Sequence, residues 1–186
     1  MTTAKNVNRY TGGMTEPPKI VAVIDAFMKA DKLLVGADRQ QDWQDGREFG
    51  EKKLKLPLEL GGEQSGQSLI VMSYPRHEPL MFRIIIAFEP AVCRLDFCRH
   101  EKHGNPLDCA VDGLPGMVVG AHYHPWGLNK RFFTGVTQAV KLHCAIPFSP
   151  QIQKFDSALR WFCDENNIKL PNGKHVIELP TKDTLI

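Results

Sequence analysis

The chain of 186 residues has no apolar run approaching the roughly 20 residues that cross a bilayer. Its longest runs, IVAVI from Ile20 and RIIIAF from Arg83, are flanked by charges or prolines. No membrane partner is therefore expected. The N-terminal MTTAKNVNRYTGG has no apolar core after its lysine, which argues against a secretory signal and for a cytoplasmic location. An excess of one charge is missing too. Lys plus Arg number 23 and Asp plus Glu 21, a formal net charge of +2, so the chain does not announce a nucleic-acid binder by charge alone. It has no Walker-type phosphate loop and no G-x-G-x-x-G, G-x-S-x-G or H-E-x-x-H. Those gaps weaken nucleotide-cofactor, serine-hydrolase and zincin readings. Cysteines are few and odd in number, at five. In a cytosolic setting all five are expected as free thiols with no disulfide.

What is present suits an ordinary soluble domain, at 42% hydrophobic and 24% charged residues. Residues 1–16 read as a flexible arm and 17–186 as one domain. After Glu16-Pro17-Pro18, the residues Ile20, Val23, Ile24 and Phe27 fall at helical spacing, with Leu33 and Leu34 closing the stripe. Leu54, Leu56, Leu58 and Leu60 alternate as in a half-buried strand, and Pro57 places that strand at an edge or starts a new segment. Three strands follow, at 67–74, 80–88 and 91–97, and short turns between them favour antiparallel pairing. A fourth runs from Met117 to Tyr123. Further strands are expected at Phe132–Phe133, 139–145 and His175–Leu179. A last helix, capped by Ser149 or Asp156, carries Ile152, Phe155, Leu159, Phe162 and Cys163 on one face. The expected fold is α+β: a single antiparallel sheet flanked by an N-terminal and a C-terminal helix. Ile20, Ile24 and Phe27 are expected to be buried, as are Leu159 and Phe162.

The chemistry gathers between Val92 and Arg131. This stretch holds four of the seven histidines and three of the five cysteines. His122 and His124 lie two apart, so on a strand both imidazoles project to one side. That suits two ligands of one metal ion or a general acid–base pair. Arg94 and Asp96 likewise share a face, with Cys93, Leu95 and Phe97 turned to the core. That pair reads equally as a surface ion pair or as a site that binds phosphate and orients a histidine. His103 stands at a Gly-Asn-Pro turn on the connection between the two strands, where it can face the same cavity. Cys98, His100, His103 and Cys109 fit no standard zinc spacing.

Arg94-Leu95-Asp96, then His103-x-Asn105-Pro106, then His122-x-His124 resemble an uncharacterised family of small bacterial and prophage-encoded domains, over roughly residues 80–170. That family is similar in layout to toxin components of toxin–antitoxin systems, some of them metal-independent ribonucleases. Cys98, Cys109 and the longer N-terminal half depart from its pattern. The resemblance implies an endoribonuclease-like toxin or phage-associated enzyme without a cofactor, with RNA as substrate and an antitoxin-like protein as partner. His103, His122 and His124 then supply acid and base, Arg94 stabilises phosphate charge and Asp96 orients a histidine. Two alternatives stay open. One is a metal-dependent hydrolase with His103, His122 and His124 holding zinc or another divalent metal, and Asp96 as a fourth ligand or a partner behind one. The other is a non-catalytic interaction module that binds through its helices or the Trp126 surface.

Overall fold

The computed structural model describes residues 19–78, 80–88, 90–133 and 142–182. The expected N-terminal arm and the Glu16–Pro18 helix start lie outside them, as do the first residues of the strand expected at 139–145. Helix α1 (Lys19–Lys29) leads into strands β1 (Lys32–Leu34), β2 (Gln44–Asp45), β3 (Lys52–Leu60), β4 (Glu63–Ser73), β5 (Phe82–Ala87), β6 (Ala91–Phe97) and β7 (Lys102–Gly104). A 3-10 turn over Leu107–Asp112 precedes β8 (Met117–Val119) and β9 (His122–His124). The short helix α2 (Trp126–Asn129), β10 (Ile146–Pro147), α3 (Phe155–Glu165) and β11 (Ile168–Lys169) complete the order.

The fold is mixed α+β with a mostly antiparallel sheet. Nine strands run in the order β10-β9-β6-β5-β4-β3-β1-β11, with β2 added beside β3. Two details differ from a single antiparallel sheet. Strand β11 returns parallel to β1, pairing Lys32 with Ile168, and β7 pairs with β8 in a separate two-stranded sheet. The expected strand over Met117–Tyr123 is broken in two because Gly120 adopts a φ of +88°, a conformation open mainly to glycine. Pro57 does not mark an edge. Its strand β3 lies between β4 and β1, and the proline falls where the β3–β4 register shifts. A bulge tolerates the missing N–H, and the Pro57 carbonyl still accepts from Val35 N. Phe132 ends a 3-10 turn instead of starting a strand, and 175–179 is irregular.

Alternation decides which way each strand faces. Leu54, Leu56 and Leu58 of β3, Phe82, Ile84 and Ile86 of β5, and Cys93, Leu95 and Phe97 of β6 all enter one apolar core. Helix residues join the same core. Phe155 of α3 meets Phe82 edge-on at 5.2 Å, and Phe162 meets Tyr123 at 5.9 Å. In α1 the buried residues are Val21, Ile24 and Phe27. Ile20 is 36% exposed, against expectation, because the stripe turns one residue and Val21 takes the inward position. Leu33 and Leu34 belong to β1, not to the helix. Ile152 precedes α3, whose N-cap is Lys154 with no side-chain cap.

Lys32 is almost wholly buried, and its ammonium donates to the carbonyls of Phe27, Met28 and Ala30 at 2.9, 3.2 and 2.6 Å. A cation there meets the carbonyls gathered at the negative end of α1. Burial nonetheless pushes its pKa down to about 8. Between about pH 8 and the ordinary lysine range the unfolded chain holds a proton that the folded chain has released. Stability must then rise with pH in that window, by at most about 1.4 kcal/mol per pH unit for one proton. Urea titrations of wild type and Lys32→Met from neutral pH upward should show the wild type gaining on the variant across that window. A difference that stays level with pH would mean that Lys32 keeps an ordinary affinity for its proton.

Candidate functional site

The site grows from one strand pair. Strand β9 lies antiparallel to β6, with Arg94 opposite His124 and Asp96 opposite His122. All four side chains leave the sheet on the face away from Leu95 and Tyr123, as a period of two requires. His103, on β7, is brought against both histidines. Ring centroids lie 5.3 Å apart for His103–His122, 4.7 Å for His103–His124 and 5.0 Å for His122–His124. One ring nitrogen of each lies within 4.8 Å of the others. The five residues singled out in the sequence therefore converge.

They are not on an open sheet surface. Asp96, His122 and His124 are 0%, 1% and 0% exposed. The segment His143–Ala145 shields them, held down by three successive carbonyls. His143 O accepts from His103, Cys144 O from His124 and Asn129, and Ala145 O from Asn105. Asn129 and Asn105 each take a backbone N–H of the strap in return, from Cys144 and Ala145. Each asparagine amide thus pairs with the strap as a neighbouring strand would.

These carbonyls also fix the imidazole protons, because a carbonyl can only accept. His103 must carry its proton on Nε2, 2.7 Å from His143 O. His122 carries one on Nδ1, 2.8 Å from Gly120 O, and His124 on Nδ1, 3.2 Å from Cys144 O. The second nitrogen of His124, Nε2, lies 3.2 Å from Arg94 Nη2. The same Nε2 lies 3.2 Å from Asp96 Oδ2, so it sits between the guanidinium and the carboxylate. The second nitrogen of His103 is not the one on a carbonyl, and that of His122 lies 3.5 Å from Asp96 Oδ2. Burial pushes the His124 pKa down to about 4, the Arg94 charge adding to that against the pull of Asp96. His124 is neutral at neutral pH.

Asp96 ties the charges together. Its Oδ2 accepts from Arg94 Nε at 2.6 Å, and its Oδ1 stands 2.8 Å from Arg83 Nε, an ion pair whose angle falls outside hydrogen-bond range. Burial opposes its ionisation, but the His124 contact and the two guanidiniums outweigh burial and hold the carboxyl well below the usual range. The reading of Arg94 and Asp96 as a solvated surface pair is excluded. Sequence reasoning missed Arg83, which also donates to Tyr74 Oη at 3.1 Å. A lone arginine inside the apolar strand Phe82–Ala87 was the available signal. It missed Asn129 as well, whose neighbours give no hint of a partner 15 residues on.

The expectation of five free thiols fails. Cys109 and Cys144 form a disulfide, with Cα atoms 5.7 Å apart and a sequence separation of 35. An odd count cannot exclude one pair, and the strap that brings Cys144 over the site has no local sequence signature. Cys93 and Cys163 are free and buried, as expected, and Cys98 is free and half-buried. The disulfide also removes one support for a cytoplasmic location. Trp126 does not offer a binding surface. It is 4% exposed and donates to Asp25 at 2.6 Å. No described helix is long and apolar enough to cross a membrane.

No protein-family model, curated protein or solved structure matches the chain.

Proposed function

We propose that the protein cleaves phosphodiester bonds in RNA by histidine acid–base catalysis. One observation carries this reading. His103 and His122 each have one nitrogen tied to a main-chain carbonyl, the second nitrogen of His122 faces Asp96 at 3.5 Å, and the Arg94 guanidinium stands against the neighbouring His124. Such a set moves protons and stabilises an anion but offers no customary nucleophile such as a serine or a free thiol. It suits an ester that carries its own nucleophile, and RNA does so in the ribose 2′-hydroxyl. One imidazole removes the 2′-hydroxyl proton as the 2′ oxygen bonds to phosphorus. The other protonates the departing 5′ oxygen, leaving a 2′,3′-cyclic phosphate. Arg94 meets the charge that builds on phosphorus oxygens. His124 and Asp96 hold Arg94 in place.

A second reading, a metal-dependent hydrolase, has its own support. Three imidazoles converge and all three donate a ring N–H to a carbonyl, the usual backing for metal-bound histidine. Zinc or another divalent ion would there lower the pKa of a bound water. Arg94 counts against it, since its guanidinium sits on the His124 nitrogen that the ion would take. Incubation of short single-stranded RNA with the protein in excess chelator separates the two. Undiminished cleavage to cyclic-phosphate ends supports acid–base catalysis. Cleavage that stops and returns with added zinc supports the metal. No cleavage of RNA under either condition by folded protein ends the RNA reading. An antitoxin-like partner and a cytoplasmic setting remain expectations from the sequence.

A further inference from the structure

The face that carries Arg94 and Asp96 does not stop at them. Ile85 is the cross-strand partner of Arg94, and Ile70 is the partner of Ile85. These residues, with Met72 and Ala87, are only half-buried. Together with the 44–53 segment they line an open groove of about 550 Å³, within the range of roughly 300–1,000 Å³ found for small-ligand sites. Its floor is apolar. Its polar wall includes Arg47, Lys53, Asp45 and Glu51.

We infer that this groove holds a nucleotide of single-stranded RNA next to the bond being cut. The inference rests on the RNA-cleaving reading of the histidine site and gives it a substrate-binding surface. Three observations support it. The first is continuity: residues directly opposite in an antiparallel pair have Cβ atoms about 5 Å apart, so Arg94 and Ile85 form one surface from site to groove. The second is charge. Asp45 is paired with Lys52 at 2.8 Å, and Glu51 is 3% exposed and accepts from Tyr74. Asp45 is charge-paired and Glu51 is turned inward from the surface, whereas Arg47 and Lys53 make no ion pair among the described residues. The groove therefore favours phosphate. The third is a flat apolar surface. Phe49, between Arg47 and Glu51 in the chain, is 91% exposed, with the Arg76 guanidinium 4.6 Å from its ring centroid. An exposed aromatic beside a cationic groove is how proteins hold single strands, by stacking and by backbone charge.

The test is binding of a short fluorescent RNA bearing 2′-O-methyl riboses, which cannot be cut through the 2′ oxygen, followed by anisotropy over a salt series. Arg47→Ala/Lys53→Ala should weaken binding about tenfold or more and reduce the slope of log affinity against log salt by about 1.4, two phosphate contacts' worth. Phe49→Ala, at a site too exposed to threaten the fold, should weaken binding about tenfold. Unchanged affinity and slope in the double variant together with unchanged affinity in Phe49→Ala would overturn the proposal, as would equal competition by duplex RNA. Groove-dependent binding without cleavage of natural RNA would uphold this surface and end the catalytic reading. Cleavage with binding indifferent to all three substitutions would do the reverse.

Discussion

Asp96→Ala should cost about 3–5 kcal/mol of folding stability, the penalty for removing one partner of a buried charge pair. Domains of ordinary size are stable by only about 5–15 kcal/mol, so the variant should be largely unfolded at temperatures the wild type tolerates. The size of the effect follows from what remains behind. Asp96 is fully buried, and Arg83 and Arg94 both face it, at 2.8 and 2.6 Å. Without the carboxylate, two guanidiniums with side chains only 25% and 30% exposed repel each other with little water to answer them. Asp96→Asn keeps the shape but not the charge, and it should recover only part of the loss. The exposed pair Lys169–Asp31 gives the contrast. Both side chains are 69% exposed, so water and salt screen the pair and Asp31→Ala should cost far less stability than Asp96→Ala. Urea denaturation of the three variants decides. A cost for Asp96→Ala no larger than that for Asp31→Ala would show the carboxylate to be hydrated in solution.

The second large effect is on rate. His103→Ala and His122→Asn should each lower kcat/KM for RNA by about 10²–10⁴, the usual contribution of a positioned acid or base. Asparagine at 122 is chosen because its amide N–H can still reach Gly120 O while the second ring nitrogen, the one that moves a proton, is gone. Both variants should keep a melting temperature close to that of the wild type. The double variant should be little slower than the worse single, because acid and base act in one step. His122→Ala is a poorer probe. The residue is 1% exposed, so alanine also leaves a cavity. Full activity in both single variants would remove these histidines from the chemistry.

The convergence of His103, His122, His124, Arg94 and Asp96 was legible because it depends on alternation. Two residues apart on a strand share a face whatever the rest of the chain does, and the β6–β9 pairing only had to set the strands side by side. His103 was legible for a weaker reason, its place on the connection between them. The core residues of β5, β6 and α3 were readable on the same grounds. What escaped was everything made by side chains reaching across the chain. Asn105 and Asn129 pair with backbone 40 and 15 residues away, and no period in the sequence encodes such a reach. Burial of the site escaped with them, since strand ends ordinarily face water and the strap is what covers this one. Ile20 was misplaced by a single helical position, because Ile20, Val21, Val23 and Ile24 leave the facing of the first turn ambiguous.

The link between Cys109 and Cys144 closes part of the backbone into a covalent ring. His122 and His124 lie inside that ring, whereas Arg94, Asp96 and His103 lie outside it. The site is therefore assembled from two topologically distinct pieces. A protease that cut once within the ring would leave one molecule, heavier by a single water and still joined through sulfur. The same nick outside the ring would release a fragment once folding contacts were lost. The strap at 143–145 is the point where the ring closes over the histidines, so a nicked chain keeps its cover as long as the sulfurs stay joined.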